Sequence, residues 1–242
     1  MNTLTKWPDH VMMALAAVLG IGSVVLFVMM GSVTFVRLGW PDSRALAWDA
    51  ALSLAFFLQH SGTVRKRFRA RLSAFLPERY QGAFYAITSG VVLALVAVLW
   101  QRTETRLLAL EGVPLWIVRA LALVAFALFV LSAHALGSLF DPLGLGPIRA
   151  HLRGVSERPS TFVVKGPYRW VRHPLYSCVL VLIWSDPEVT ADRLLFSVLW
   201  TGWICVATVL EERDLVADFG DAYRDYQRKV PMLVPWRGHV AE

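Results

Sequence analysis

The apolar residues of this chain fall in long runs. The first, Val11 to Val36, holds no charge in 26 residues. A bilayer span needs about 20, and a cleaved signal has a shorter apolar core and a small-residue cleavage site. The run therefore predicts a retained transmembrane helix. A second run, Ala45 to His60, is broken by Asp49 near its start and ends in Gln59-His60-Ser61. A third covers Gly82 to Trp100. A fourth covers Pro114 to about Leu139, with Arg119 near its beginning, where it can snorkel to the interface, and His134 near its end.

The last apolar region differs. Leu175 to Trp184 is too short to span upright, Ser185-Asp186-Pro187-Glu188 reads as a polar turn, and Leu194 to Leu210 reads as another helix. Together they predict a helical hairpin. Its first arm is tilted, extended back to Arg172, or re-entrant, and hydropathy leaves these open. The whole predicts an all-α integral membrane protein with about five to six membrane helices. A four-helix membrane region occupies 1–139, and a C-terminal region with the hairpin and a tail occupies 140–242.

Composition supports the membrane. The chain is 56% hydrophobic and 17% charged, against about 25% charged for soluble domains. Of its 24 lysines and arginines, 18 fall on one side of the predicted topology, in Val64 to Tyr80, Phe140 to His173 and the two termini. The positive-inside rule places both termini in the cytoplasm. The net charge of +6 then reports orientation and contact with anionic lipid, above all at Arg65 to Arg71. No nucleic-acid partner is expected. Cys178 and Cys205 lie in apolar runs without metal-ligand spacing, so neither a metal nor a disulfide framework is expected. The pieces 140–173 and 211–242 flank the hairpin and must lie close together, which puts a candidate site where the hairpin emerges on the cytoplasmic face.

Chemistry-bearing residues cluster there. Lys165-Gly166-Pro167-Tyr168-Arg169-Trp170-Val171-Arg172-His173-Pro174-Leu175-Tyr176 combines a tight Gly-Pro turn with a proline suited to a first helical turn. Arg172 and His173 then sit at a helix N-terminus, where anions bind. A basic juxtamembrane anchor with an aromatic belt is the plainer reading. Glu211 and Glu212 close the apolar helix, a costly place unless they are solvated or paired, for example with Arg172 or Arg213. His60, at the cytoplasmic end of the second helix, is a candidate base or a hydrogen-bonded cap. His134 is an intramembrane histidine with a packing alternative. Asp141 orients a partner or caps a turn. His151 and His239 read as surface residues.

The ordered pattern G-P-Y-x-x-x-R-H-P-x-Y, apolar hairpin, E-E-x-x-L, F-G-x-x-Y-x-x-Y and V-P-x-x-x-P over Lys165 to Trp236 resembles the isoprenylcysteine carboxyl methyltransferase family of integral membrane methyltransferases. Phe57 to Ser61, Pro77-Glu78-Arg79, Trp100-Gln101 and Phe140 to Leu145 are similar to its bacterial methanethiol S-methyltransferase and NnrU-like branch. The resemblance implies a bacterial inner-membrane enzyme that uses S-adenosylmethionine. It places Lys165, Gly166, Tyr168, Arg172, His173, Tyr176, Glu211 and Glu212 at the cofactor, and Glu211 with His60 in catalysis. The implied reaction is in-line methyl transfer to a small or lipophilic thiol arriving from the membrane. Ser138-Leu139 and Gly62 to Arg65 depart from the methanethiol pattern. The acceptor therefore stays open between a thiol, a prenylcysteine carboxylate and a lipid. A haem-dependent isomerase or other redox role, with His60 and His134 as axial ligands, and a non-enzymatic transporter or lipid-binding protein are the alternatives from other classes.

Overall fold

A computed structural model describes residues 6–155 and 162–238. Arg158 and His239 lie outside the described residues. In chain order the elements are α1 (Trp7–Met30), α2 (Asp42–Val64), α3 (Lys66–Leu72), α4 (Glu78–Leu99), β1 (Arg106–Ala109), α5 (Gly112–Leu136), α6 (Gly146–Arg153), α7 (Pro174–Trp184), β2 (Glu188–Thr190), α8 (Ala191–Phe219) and α9 (Asp221–Lys229). Short 3-10 turns occupy Gly137–Leu139 and Gly166–Arg169.

Four of these helices, α1, α4, α5 and α8, are long and apolar enough to cross a membrane, and α7 is a shorter apolar helix. The molecule is an integral membrane protein built of helices. On α5 the side chains of Trp116, Ile117, Leu123, Val124 and Phe126 are each more than half exposed. An apolar surface that large on a helix face belongs against lipid. The helix α2 is as long as a span, but Asp42, Arg44, Asp49, Gln59 and His60 make it more polar.

The chain divides into two compact units. The first contains Met1–Thr105, Asp141–Pro159 and Ala191–Phe196. In it α4 packs on α1, α2 and α6. Alanines make this approach close: Ala16, Ala83 and Ala86 are buried with Tyr80, Leu145 and Ile148. Small residues let helix backbones meet where lipid offers no hydrophobic driving force. The α1 and α4 N-termini share one end, where buried Asp9 accepts hydrogen bonds from Tyr80 (2.8 Å) and Arg79 (3.3 Å). At the opposite end of α4, buried Asp49 accepts the Gln101 backbone N–H at 2.9 Å. Asp192 accepts from the Thr103 N–H (3.0 Å), the Thr103 hydroxyl (2.7 Å) and the Trp100 indole (3.2 Å). Asp141 takes its capping role, accepting the N–H groups of Leu145 (3.0 Å) and Gly146 (2.6 Å) at the start of α6.

The second unit contains Arg106–Phe140, Ser160–Thr190 and Ser197–Glu242. Here α7 packs on α5, and the 3-10 turn at Gly166 packs on α5 as well. β1 and β2 pair antiparallel as a two-stranded ribbon. The hydropathy reading treats Glu188 as part of a polar turn. In the fold the turn ends at Pro187, whose carbonyl accepts the Leu110 N–H at 2.8 Å, and Glu188 opens a strand. Three apolar and polar residues carry too little alternation to announce a strand.

One expectation about the hairpin changes. The second apolar helix runs on past Leu210 to Phe219, ended by Gly220 at φ +57°. Glu211 and Glu212 therefore lie two turns inside a helix and do not close it. The helix dipole, which acts in the last turn, does not bear on them.

The closest backbone approach in the first unit is Gly82 on Gly144. A Cβ on Gly144 would meet the Gly82 carbonyl carbon at 2.1 Å, and Gly144 sits at φ +62°. Gly144→Ala should lower stability by about 2 kcal/mol or more through overpacking and left-handed strain. Gly62→Ala, in open space, should be close to neutral. Thermal unfolding in detergent compares the two.

Candidate functional site

The second unit brings Arg172, His173, Tyr176, Glu211 and Glu212 together through two local devices. Gly166, at φ +53° with the Ala135 Cβ 3.3 Å from where its own Cβ would stand, turns the chain on α5. The Lys165 carbonyl then accepts the Tyr168 N–H at 3.1 Å. The stretch before α7 also pairs with the tail: the Arg172 N–H donates to the Pro231 carbonyl (2.9 Å) and the His173 N–H to the Met232 carbonyl (3.1 Å). Pro174 takes the first helical position, with His173 as the N-cap.

Glu212 on α8 is the centre of these contacts. Its Oε1 accepts from Arg172 Nε (2.5 Å) and its Oε2 from Arg172 Nη2 (3.0 Å), a bidentate ion pair. His173 Nε2 lies 3.1 Å from Oε1. A carboxylate only accepts, so that nitrogen carries the proton. Gln227 (2.9 Å) and the Tyr223 hydroxyl (3.4 Å) complete the shell. Arg172 Nη1 also donates to the carbonyls of Gln227 and Val230. The guanidinium is therefore largely committed to the protein itself.

Beside this network lies a cavity of about 430 Å³, within the roughly 300–1,000 Å³ of small-molecule sites. Of the sequence candidates, Tyr168, Arg172, His173, Tyr176 and Glu211 line it. Glu212 is buried next to them, Gly166 shapes the turn, and Lys165 is exposed outside it. The Tyr176 hydroxyl donates to Glu211 Oε2 at 2.7 Å, and its ring stacks on His173 with centroids 5.6 Å apart and planes 4° apart.

Residues that sequence reasoning did not place at the site also form its wall. Leu215, Asp218 and Phe219 follow Glu211 on one face of α8, the i, i+4, i+7, i+8 spacing of a helical stripe. Ending the helix at Leu210 hid that stripe. Tyr223 and Tyr226 come from α9, and Phe162 packs its ring against Phe219, Tyr223 and Tyr226 at 5.4–5.6 Å. The Tyr226 hydroxyl donates to the Tyr168 carbonyl at 2.5 Å. Spacing the tyrosines three apart on an amphipathic helix was the available signal. Burial pushes the phenols of Tyr168, Tyr223 and Tyr226 above their ordinary range, helped at Tyr168 by the Glu211 carboxylate and at Tyr223 by Glu212.

The other histidine candidates stand elsewhere. His60 belongs to the first unit, where the Tyr85 hydroxyl lies 2.6 Å from its Nε2 and Phe56 packs on its ring. His134 is exposed in the last turn of α5 and does not line the cavity.

Fold and site together define a helical membrane protein with an acid- and aromatic-walled small-molecule pocket next to its C-terminal spans. The NnrU protein family model matches residues 50–230, and the chain belongs to that family. The chain is similar to a methanethiol S-methyltransferase of Pseudomonas sp. (strain GM41(2012)), 38% identical over 83% of this chain and 76% of that protein. A methanethiol S-methyltransferase of Mycobacterium tuberculosis is 35% identical over 81% of this chain and 80% of its own length. Nurim of Rattus norvegicus is 28% identical over 73% and 76%. These relatives agree with the family resemblance read from the C-terminal motifs. No solved structure matches the chain.

Two outcomes follow from the geometry. Glu212→Ala leaves Arg172 and His173 without their buried acceptor, and removing one partner of such a pair costs about 3–5 kcal/mol. Chemical or thermal unfolding in detergent should show a loss of that order, against about 1 kcal/mol for Tyr226→Phe. In a spectrophotometric titration of the six tyrosines, those at 168, 223 and 226 should stay protonated at about pH 11, one unit above the ordinary phenol value, until the protein unfolds.

Proposed function

We propose that this protein is a membrane methyltransferase that moves a methyl group from S-adenosylmethionine to a small or lipophilic thiol. The observation that carries the reading is the charge of the cavity wall. Glu211 lines it, with the Tyr176 hydroxyl as its hydrogen-bond donor, while the neighbouring Arg172 is held by Glu212. The wall thus favours a cation. Phe162, Tyr168 and Phe219 line the same cavity, and aromatic faces suit a flat heterocycle or a sulfonium ion. The donor set therefore fits S-adenosylmethionine, which joins a purine, a sulfonium and an ammonium group. The methanethiol S-methyltransferase names of the relatives support the same reading.

When bound, S-adenosylmethionine supplies an electrophilic methyl group on a positively charged sulfur. The protein's part is to orient the reactants in line and exclude water. Glu211, fixed by Tyr176, opposes the positive charge. The phenols of Tyr168, Tyr223 and Tyr226 stay neutral, and those of Tyr223 and Tyr226 donate to Glu212 and the Tyr168 carbonyl. His173, one remaining N–H of Arg172 and the Gly166 turn shape the end that takes a carboxylate. A thiol acceptor reacts as the thiolate, and His60 is the base proposed for its proton, its ring steadied by Tyr85 and Phe56. A bacterial inner-membrane location with both termini in the cytoplasm accords with the placement of 18 of 24 basic residues.

Calorimetry on the purified protein should show binding of S-adenosylhomocysteine. Glu211→Gln should weaken S-adenosylmethionine at least about tenfold, the loss of one charge contact of roughly 1.4 kcal/mol, and weaken the uncharged thioether product less. His60→Gln should lower thiol methylation about 100-fold, within the range of general-base effects, with cofactor affinity unchanged. Absence of binding in several detergents and in nanodiscs overturns the reading.

A further inference from the structure

The first unit carries a second cavity that the methyl-transfer reading does not use. It holds about 700 Å³ and is walled by Lys66, Arg69, Ser73, Glu78, Arg79, Gln81 and His151, with Ala70, Pro147, Ala150 and Val155. These residues come from α3, the first turn of α4, and α6 with the residues after it.

Its two arginines are held in place by buried polar partners. Arg79 donates to Asp9, which is 1% exposed. Its guanidinium also donates to the Tyr80 hydroxyl and lies over the Tyr80 ring at 4.5 Å. Arg69 donates from Nε to Gln81 Oε1 at 3.3 Å, and Gln81 Nε2 donates back to the Arg69 carbonyl at 3.4 Å. Gln81 is itself 6% exposed. His151 Nε2 lies 4.0 Å from Asp9 Oδ2. Long basic side chains lose much rotamer freedom when a ligand orders them, and prior fixing removes part of that cost.

The site's position narrows its ligand. The cavity opens at the shared N-terminal end of α1 and α4, two helices that cross the membrane. The positive end of the α4 dipole points there. Asp9 accepts from Arg79 and Tyr80, and among the described lining residues the basic side chains Lys66, Arg69, Arg79 and His151 outnumber the acidic Glu78. We infer that this cavity binds a phosphate-bearing anion, the chemistry shared by an acidic phospholipid headgroup at the interface and free phosphate.

The test uses the full-length chain in neutral detergent. Native mass spectrometry reads the binding of phosphatidylglycerol against phosphatidylcholine, with and without millimolar inorganic phosphate. The wild type should prefer phosphatidylglycerol. Lys66→Gln with Arg69→Gln should weaken it at least about tenfold, since each basic residue near a lipid surface contributes roughly 1 kcal/mol. Arg224→Gln, an exposed arginine of the second unit paired with Asp221, should leave it unchanged. Ser73→Glu, which adds a negative charge to the exposed rim, should give the same loss and serves if the double variant is unstable. Competition by inorganic phosphate identifies free phosphate as the ligand, and its failure identifies the lipid headgroup. Undiminished phosphatidylglycerol binding in stable Lys66/Arg69 and Ser73 variants overturns the inference, as does equal binding of the two lipids without phosphate binding.

Discussion

One buried carboxylate organises the C-terminal unit. Glu212 takes the Arg172 guanidinium in two bonds, the His173 ring, the Gln227 amide and the Tyr223 hydroxyl. These groups arrive from two parts of the chain, the approach to α7 and α9, and meet on Glu212 of α8. A buried ion pair returns little net stability against apolar residues of the same shape. It is demanding about geometry, because any other arrangement leaves a buried charge unmatched. The position of α9 and the tail follows from that demand. Arg172 also takes the carbonyls of Gln227 and Val230, and the backbone of Arg172 and His173 holds Pro231 and Met232.

The same interaction sets the character of the cavity. Without Glu212, Arg172 would present a full positive charge to the pocket. With it, Arg172 is neutralised beside the pocket, whose wall carries the Glu211 carboxylate. The Phe162 ring packs against Phe219, Tyr223 and Tyr226, and the burial of Glu212 and His173 strengthens the network's electrostatics. α7 packs on α5 while its side chains reach α8, and this separation leaves room for a ligand between backbones that an ordinary tight hairpin would bring into contact.

Much of this was legible from the residues in order. The runs at Val11, Gly82, Pro114 and Leu194 became α1, α4, α5 and α8, because span-length apolar runs have few alternatives in lipid. Gly166 and Pro174 marked their turns because their backbone preferences are intrinsic. The limits are equally physical. α8 continues two turns beyond its apolar stretch because Glu212 and the 211/215/218/219 stripe find partners on other elements. Hydropathy, which scores each residue without its neighbours, stops at Leu210. The β1–β2 ribbon rests on pairing between segments some 80 residues apart, which no local window contains.

The sequence by itself determined the solvent of this protein, the order of its long apolar helices, and the residues with enough chemistry to matter, since these depend on composition and local spacing. Tertiary structure decided which of those residues meet. It gave Arg172 to Glu212 instead of the open cavity, placed Asp218 and Phe219 on the wall, left Lys165 outside, and put His60 beside Tyr85 in the other unit. Pairing energies between groups far apart in the chain exist only once the backbone has brought them within hydrogen-bond distance.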